Sequence, residues 1–312
     1  MFAARCVGVS LAGFVLLYAP LSAAIGLGWK LLWRGIRPRT ARGSANLLAA
    51  FRLAPLALAV LFTLLFTLPS FLLLEPRATG ETVGTAPLLL GLCCLVLLAG
   101  GILRTVRAQI RTEQALMAWL ADSSIVEAGK PVPVFRTNAS APGITLAGVR
   151  EPKVLVSEAV LSVLTAQELR TALEHEVAHV RSHDNLKRLL FRLALFPGMK
   201  KLEDAWAEQA ELAADDAAVS SPTEALDLAA ALIKVSRLDS LPVGLTTGLV
   251  HSSTALSLRV QRLSAWKRIQ VTRTSLGNRL LLLPAGVIFL TMIMTYSSTL
   301  NGLHALTEWL VR

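Results

Sequence analysis

Four stretches of this chain run for more than twenty residues without an Asp, Glu, Lys or Arg: Cys6 to Trp29, Leu53 to Leu74, Thr82 to Leu103 and Leu280 to Leu303. A helix rising 1.5 Å per residue needs about 20 mostly apolar residues to cross the hydrocarbon core of a bilayer. All four stretches are therefore expected to be transmembrane helices. Prolines and glycines inside them, such as Pro20, Pro55, Pro69, Gly100 and Pro284, do not oppose this, because neighbouring helices re-satisfy the backbone groups they free. The composition agrees, with 54% hydrophobic residues and a mean hydropathy of +0.57, well above what a soluble domain of this size requires.

The net charge of +10 raises the question of a nucleic-acid partner, and its distribution answers it. Residues 104 to 279 carry 22 of the 31 Lys and Arg and 18 of the 21 acids, whereas the membrane portion carries 9 against 3. Most of the excess therefore flanks spans, and no nucleic acid is expected as a partner. Lys30, Arg34, Arg37, Arg39, Arg42 and Arg52 lie between the first two spans with no acid among them. The positive-inside rule puts that loop in the cytoplasm. The loop with Glu75, Arg77 and Glu81 then falls outside, and the central region faces the cytoplasm. Both termini lie outside, in a multi-pass protein of the cytoplasmic membrane. Arg5, the apolar run and Leu21-Ser-Ala-Ala24 also resemble a cleaved signal peptide, but cleavage would send the basic loop outward, so a retained first helix is expected. Cys6, Cys93 and Cys94 all lie in or at spans and suggest neither a disulfide framework nor a metal knuckle.

Between the third and fourth spans lies a stretch long enough for one soluble core. Arg104 to Leu120 reads as a helix continuing out of the third span, followed by a loop with Gly129, Pro131 and Pro133. Short apolar runs at Val132 to Phe135, Ile144 to Val149 and Val154 to Ser157, separated by turn residues, read as strands of a small sheet. Thr165-Ala-Gln-Glu168 is a capping box. A helix is expected from there to about Leu195, stopped by Pro197-Gly198, and a second from about Lys200 to the Ser220-Ser-Pro222 stop. The two form an antiparallel hairpin. Thr223 to Leu238 and Ser257 to Ile269 read as further helices.

Inside the first of these helices stands His175-Glu176-Val177-Ala178-His179. Four residues apart on a helix, the two imidazoles share a face and can converge on one metal ion, with the Glu176 carboxylate beside them as general base toward a metal-activated water. Leu169, Leu173, Val177 and Val180 form an apolar stripe on another face, free to anchor the helix in a core. Two histidines can fall at this spacing by chance, but the helix is inferred from its cap and stop independently of them. A zinc enzyme takes a third protein ligand and leaves a fourth position open. His183 is too far along the helix, about 12 Å from His175, and reads as a surface or cleft residue. On the second helix Glu208, Glu211 and Asp215 share a face, and hairpin geometry alone does not separate Glu208 from Glu211.

The run from Glu168 through His175-Glu176-Val177-Ala178-His179 to Asn185, together with Glu211-Leu-Ala-Ala-Asp215, resembles the gluzincin-type membrane zinc metallopeptidases. The closest resemblance is to the beta-lactam-sensor and antirepressor peptidase group, with a more distant one to the heat-shock membrane protease and CAAX prenyl protease families. It covers roughly residues 130 to 265. It implies an α+β zincin-like catalytic domain in an otherwise α-helical membrane protein, with His175, His179 and Glu211 as ligands of one zinc ion, Glu176 as catalytic base, and Asp215 orienting a ligand histidine. It further implies that the strand near Ile144 to Val149 takes up substrate backbone by strand addition, that Arg259-Val-Gln-Arg-Leu263 belongs to a closing helix, and that His251 stabilises the oxyanion. The organisation expected is three transmembrane helices over 1–105, a zinc metallopeptidase domain over 106–270 and a C-terminal transmembrane helix over 271–312. The function implied is endopeptidase action on cytoplasmic or membrane proteins, with a repressor or sensor partner as candidate regulator. The alternative is a membrane signal transducer whose peptidase-like domain cleaves only itself or only with a partner.

Overall fold

The computed structural model describes residues 2–36, 38, 40–75, 84–121, 123–127, 132–137, 143–239, 253–266 and 294–306. Three long helical rods form its apolar part: α1 (Phe2–Ile36), α2 (Ala41–Phe62) continued through a π-helical turn (Thr63–Thr67) into α3 (Leu68–Leu74), and α4 (Thr85–Leu120). All three rods are long and apolar enough to cross a membrane. The widened turn directly precedes Pro69, whose ring supplies no amide to the helix ladder and crowds the carbonyl four residues back. The rods pack through Phe14, Val15, Tyr18, Ala59 and Cys94, while Leu88, Leu89, Leu92, Leu95 and Val96 of α4 point outward. An outward apolar face of this kind suits lipid rather than water.

Of the fourth expected span, residues 294–306 are described and are helical. They pack on the second rod, where Tyr296 donates a hydrogen bond to the Leu65 carbonyl at 2.9 Å and Ser70 to that of Leu300 at 3.0 Å. The remainder of that span lies outside the described residues.

α4 continues beyond its apolar part to Leu120, as its sequence suggests, and leads into a four-stranded sheet of order β1-β2-β4-β3. Its strands are β1 (Ser124–Glu127), β2 (Val134–Thr137), β3 (Ile144–Ala147) and β4 (Lys153–Ser157). β1 is an addition to the three strands expected; four residues with a bulge opposite β2 give too short a pattern to read. β2 and β4 are parallel, and β3 runs antiparallel to β4 as an edge strand. One sheet face presents Val134, Val154 and Val156 to Val160 of α5 (Glu158–Val163) and to Leu173 and Val177 of α6 (Ala166–Arg181). Leu169 and Val180 flank this contact, so the apolar stripe of the helix is what seats it on the sheet.

The capping box starts α6 as expected, with the Thr165 amide donating to Glu168 Oε2 at 2.8 Å and the Glu168 amide to Thr165 Oγ1 at 3.3 Å. The helix does not run on to Leu195. It ends at Arg181, His183 adopts a left-handed conformation (φ 55°), and α7 (Asp184–Leu193) begins on a new axis. Ser182 turns its hydroxyl back onto the Ala178 carbonyl at 2.6 Å, and Ser, His, Asp and Asn in succession are weak helix formers that favour such local bonds.

α8 (Lys200–Ala218) returns antiparallel, α9 (Pro222–Asp239) packs beside α6, and α10 (Ser253–Ser264) closes over α8 and α9. α10 begins a turn earlier than expected; its expected end at 267–269 lies outside the described residues.

The turn between α7 and α8 reaches back among the apolar rods. Tyr18 donates to the Leu195 carbonyl at 3.1 Å and meets Phe196 edge-on. Arg52, buried in α2, donates to the carbonyls of Phe191 and Ala194 at 2.7 and 2.6 Å and to Glu203 at 2.7 Å, satisfying the open end of α7. Gly100 and Gly101 of α4 let Leu195 and Leu193 approach. Trp206, Leu202 and Met199 then pack with Leu48, Ala49 and Trp29 from α2 and α1. The helices that carry the site are thus wedged into the bundle rather than tethered below it.

Candidate metal centre

His175 and His179 lie one turn apart on the face of α6 turned away from the sheet, and both are buried. Their Nε2 atoms are 3.2 Å apart. α8 brings Glu211 to them, with Oε2 at 3.4 Å from His175 Nε2 and Oε1 at 3.7 Å from His179 Nε2. Of the two glutamates left open by hairpin geometry, Glu211 is the buried one that joins the histidines, while Glu208 is exposed.

Donors with these separations surround a point about 2 Å from each, the distance zinc keeps to imidazole nitrogen and carboxylate oxygen. Two nitrogen lone pairs facing each other at 3.2 Å repel unless a cation or proton lies between them. The donor set therefore fits a zinc-like ion.

The far side of each imidazole faces a carboxylate. Asp184 Oδ2 is 2.8 Å from His179 Nδ1, and Asp215 Oδ1 is 3.0 Å from His175 Nδ1. The second contact is close enough for an ion pair but poorly aligned as a hydrogen bond. A carboxylate accepts only, so each Nδ1 carries the proton and each Nε2 lone pair is left for the centre. Arg259 from α10 clamps Asp215 with Nε at 2.8 Å and Nη2 at 2.6 Å, and places Nη1 at 3.2 Å from Glu211 Oε2. Arg188 of α7 lies 3.8 Å from Glu211 Oε1 and stacks over Trp206. Lys187 supports Asp184 at 3.3 Å.

The electrostatics follow from this crowding of acids. Burial disfavours a charged His175, but Asp215 and Glu211 outweigh it and raise its pKa to about 10. Burial pushes Asp215 up, yet His175 and Arg259 hold it down at about 2. A site that holds a proton this tightly on a nitrogen lone pair is one that favours cations. Burial raises the pKa of Glu176, partly offset by the two histidines. Glu176 is half-buried, and among the described residues its carboxylate makes no hydrogen bond or ion pair, so it is available to take a proton.

Asp184 and Arg188 are site residues that the sequence reading passed over. Asp184 becomes a partner of His179 only because the chain breaks at His183, and the signal was the Ser182-His183-Asp184-Asn185 run that the expected continuous helix ignored. His183 itself is exposed. His251 lies outside the described residues.

No curated protein and no solved structure matches the chain. Residues 114–240 match the model of peptidase family M48. Over that segment, which holds His175, Glu176, His179, Asp184, Glu211 and Asp215, the chain is similar to a family of zinc metallopeptidases.

Proposed function

We propose that the chain is an integral membrane zinc-dependent endopeptidase of the gluzincin type, acting on cytoplasmic or membrane proteins, with its catalytic domain on the cytoplasmic face and both termini outside. The observation that carries this reading is the convergence of His175, His179 and Glu211 beside the unengaged carboxylate of Glu176. The basic residues between α1 and α2 support the sidedness.

Zinc, when bound by His175, His179 and Glu211, supplies Lewis acidity toward water and the scissile carbonyl. Glu176 takes the proton of the attacking water and returns it to the leaving amine. Its raised pKa suits a group that must both accept and release a proton near neutral pH. Asp184 and Asp215 hold the two imidazoles in one tautomer and orientation, and Arg259 holds Asp215. Since water is the nucleophile, no acyl-enzyme forms. The outer side of β3, the edge strand of the sheet among the described residues, next to α6, is the place where an extended substrate can add as a further strand.

A second reading, a membrane signal transducer with partner-dependent or self-cleavage, is favoured by one feature: the α7–α8 turn bonded to Tyr18 and Arg52 ties the ligand-bearing helices to the spans.

The test compares detergent-purified wild type with Glu176→Gln for zinc content and cleavage of an unstructured protein. Zinc in both, with cleavage at least about 10²-fold slower in the variant, is expected. Failure of both to hold zinc refutes the proposal. Zinc in both with cleavage in neither moves the lead to the transducer.

A further inference from the structure

Where α6 breaks, a groove of about 490 Å³ opens between the first turns of α2 and α7, lined by Arg42, Asn46, Arg181, Ser182, His183, Leu186, Lys187 and Leu190. Three of these side chains are permanent cations, and none is an acid. The acids beside it balance only part of that charge. Glu174 meets Arg181 at 3.8 Å on the surface, where such pairs count for little, and Asp184 is shared between His179 and Lys187. Arg42 has a buried Nη1 with no hydrogen-bond partner among the described residues. A modest turn of the Arg42 side chain would bring this donor to a ligand oxygen and recover the free energy of leaving it unpaired. Lys187 spends two of its three donors on Asn46 and Asp184, both at 3.3 Å, leaving one. Guanidinium and ammonium groups lining one groove match the oxygens of a phosphate.

We propose that this groove is a binding site for an anionic phosphate group. The group can arrive on a phospholipid or on a soluble phosphate ester. Leu186 and Leu190 form the apolar wall, and Leu190 is the end nearer the α7–α8 turn that lies among the spans, so a lipid can lay its glycerol and first methylenes there. An occupant would share Lys187 with Asp184, the carboxylate that orients His179, which sets the groove next to the metal centre without being part of it. The proposal does not depend on peptidase activity, and its test does not use it.

The full chain in neutral detergent is titrated with tail-labelled phosphatidylglycerol and, separately, phosphatidylcholine, with binding read by fluorescence anisotropy; glycerol 3-phosphate is the soluble competitor. Wild type is expected to hold the anionic lipid at least about tenfold more tightly, Arg42→Gln to weaken it about tenfold, the loss of one charge-assisted hydrogen bond, and Arg181→Glu, which reverses a charge, to weaken it at least as much. The Arg181 side chain is 63% exposed, so that reversal leaves folding intact even if Arg42→Gln does not. Displacement by glycerol 3-phosphate assigns the site to the phosphate alone; preference for the lipid without displacement assigns it to a phospholipid. Equal binding of the two lipids with no glycerol 3-phosphate effect overturns the proposal, as does a preference that survives Arg181→Glu.

Discussion

Replacing Asp215 with Asn tests the claim that a carboxylate behind His175 sets the metal affinity. The substitution keeps the shape of a side chain that is 1% exposed and removes its charge. Two losses follow. The first is at the metal, where exchanging the charged acceptor behind a ligand imidazole for a neutral amide oxygen lowers affinity about 10- to 100-fold, or roughly 1.4 to 2.8 kcal/mol. The second is in the fold, because Arg259, held by the Asp215 carboxylate at 2.8 and 2.6 Å, then meets a neutral amide and keeps Glu211 at 3.2 Å as its ion-pair partner among the described residues. Breaking a buried ion pair costs about 3–5 kcal/mol, and the remaining glutamate places this case near the lower end. Chelator competition gives the zinc affinity, and thermal unfolding with and without zinc separates the two terms. The control is Asp216→Asn, whose partner Arg262 and own side chain are each about one-third exposed; it is expected to cost under about 1 kcal/mol and leave zinc binding unchanged. An Asp215→Asn chain that binds zinc within about twofold of wild type would refute the reasoning, since an orienting carboxylate is worth at least about tenfold.

Gly101→Ala places a methyl 2.2 Å from the Leu193 carbonyl oxygen, so α4 and α7 must separate; a loss of about 1–3 kcal/mol in thermal unfolding is expected, whereas Gly28→Ala, with nothing within 4 Å, should not destabilise. At His183 the left-handed backbone makes His183→Gly neutral or stabilising by up to about 1 kcal/mol, and destabilisation by chemical denaturation would mean the His side chain itself holds the break. For Glu168, burial pushes the carboxyl up, but Lys234 and the Thr165 hydrogen bonds outweigh it and lower its pKa. The capping box therefore stabilises the folded chain above the ordinary glutamate range and loses that contribution as pH falls through the lowered value. Thr165→Ala should cost about 1 kcal/mol at neutral pH, and Lys234→Met should weaken the dependence of Tm on pH at the acid end; an unchanged acid limb would show that Lys234 does not set it.

What the sequence determined by itself was whatever depends on neighbours along the chain. Uninterrupted apolar runs produced the long apolar rods, Thr165 and Glu168 started α6, and the spacing of His175 to His179 put both rings on one face, all through contacts at most four residues apart. The match to a peptidase family over 114–240 covers the capped helix and its two histidines but none of the apolar runs. Tertiary structure decided the rest. Glu211 and Glu208 share a helix face in sequence and differ only in which one α8 turns toward α6. Asp184 reaches His179 at 2.8 Å because His183 takes a left-handed turn that redirects the chain. Arg259 crosses 44 residues of chain to Asp215. The seating of the α7–α8 turn among α1, α2 and α4, finally, follows from two glycines, a tyrosine and a buried arginine on three separate helices, and no window of sequence contains all of them.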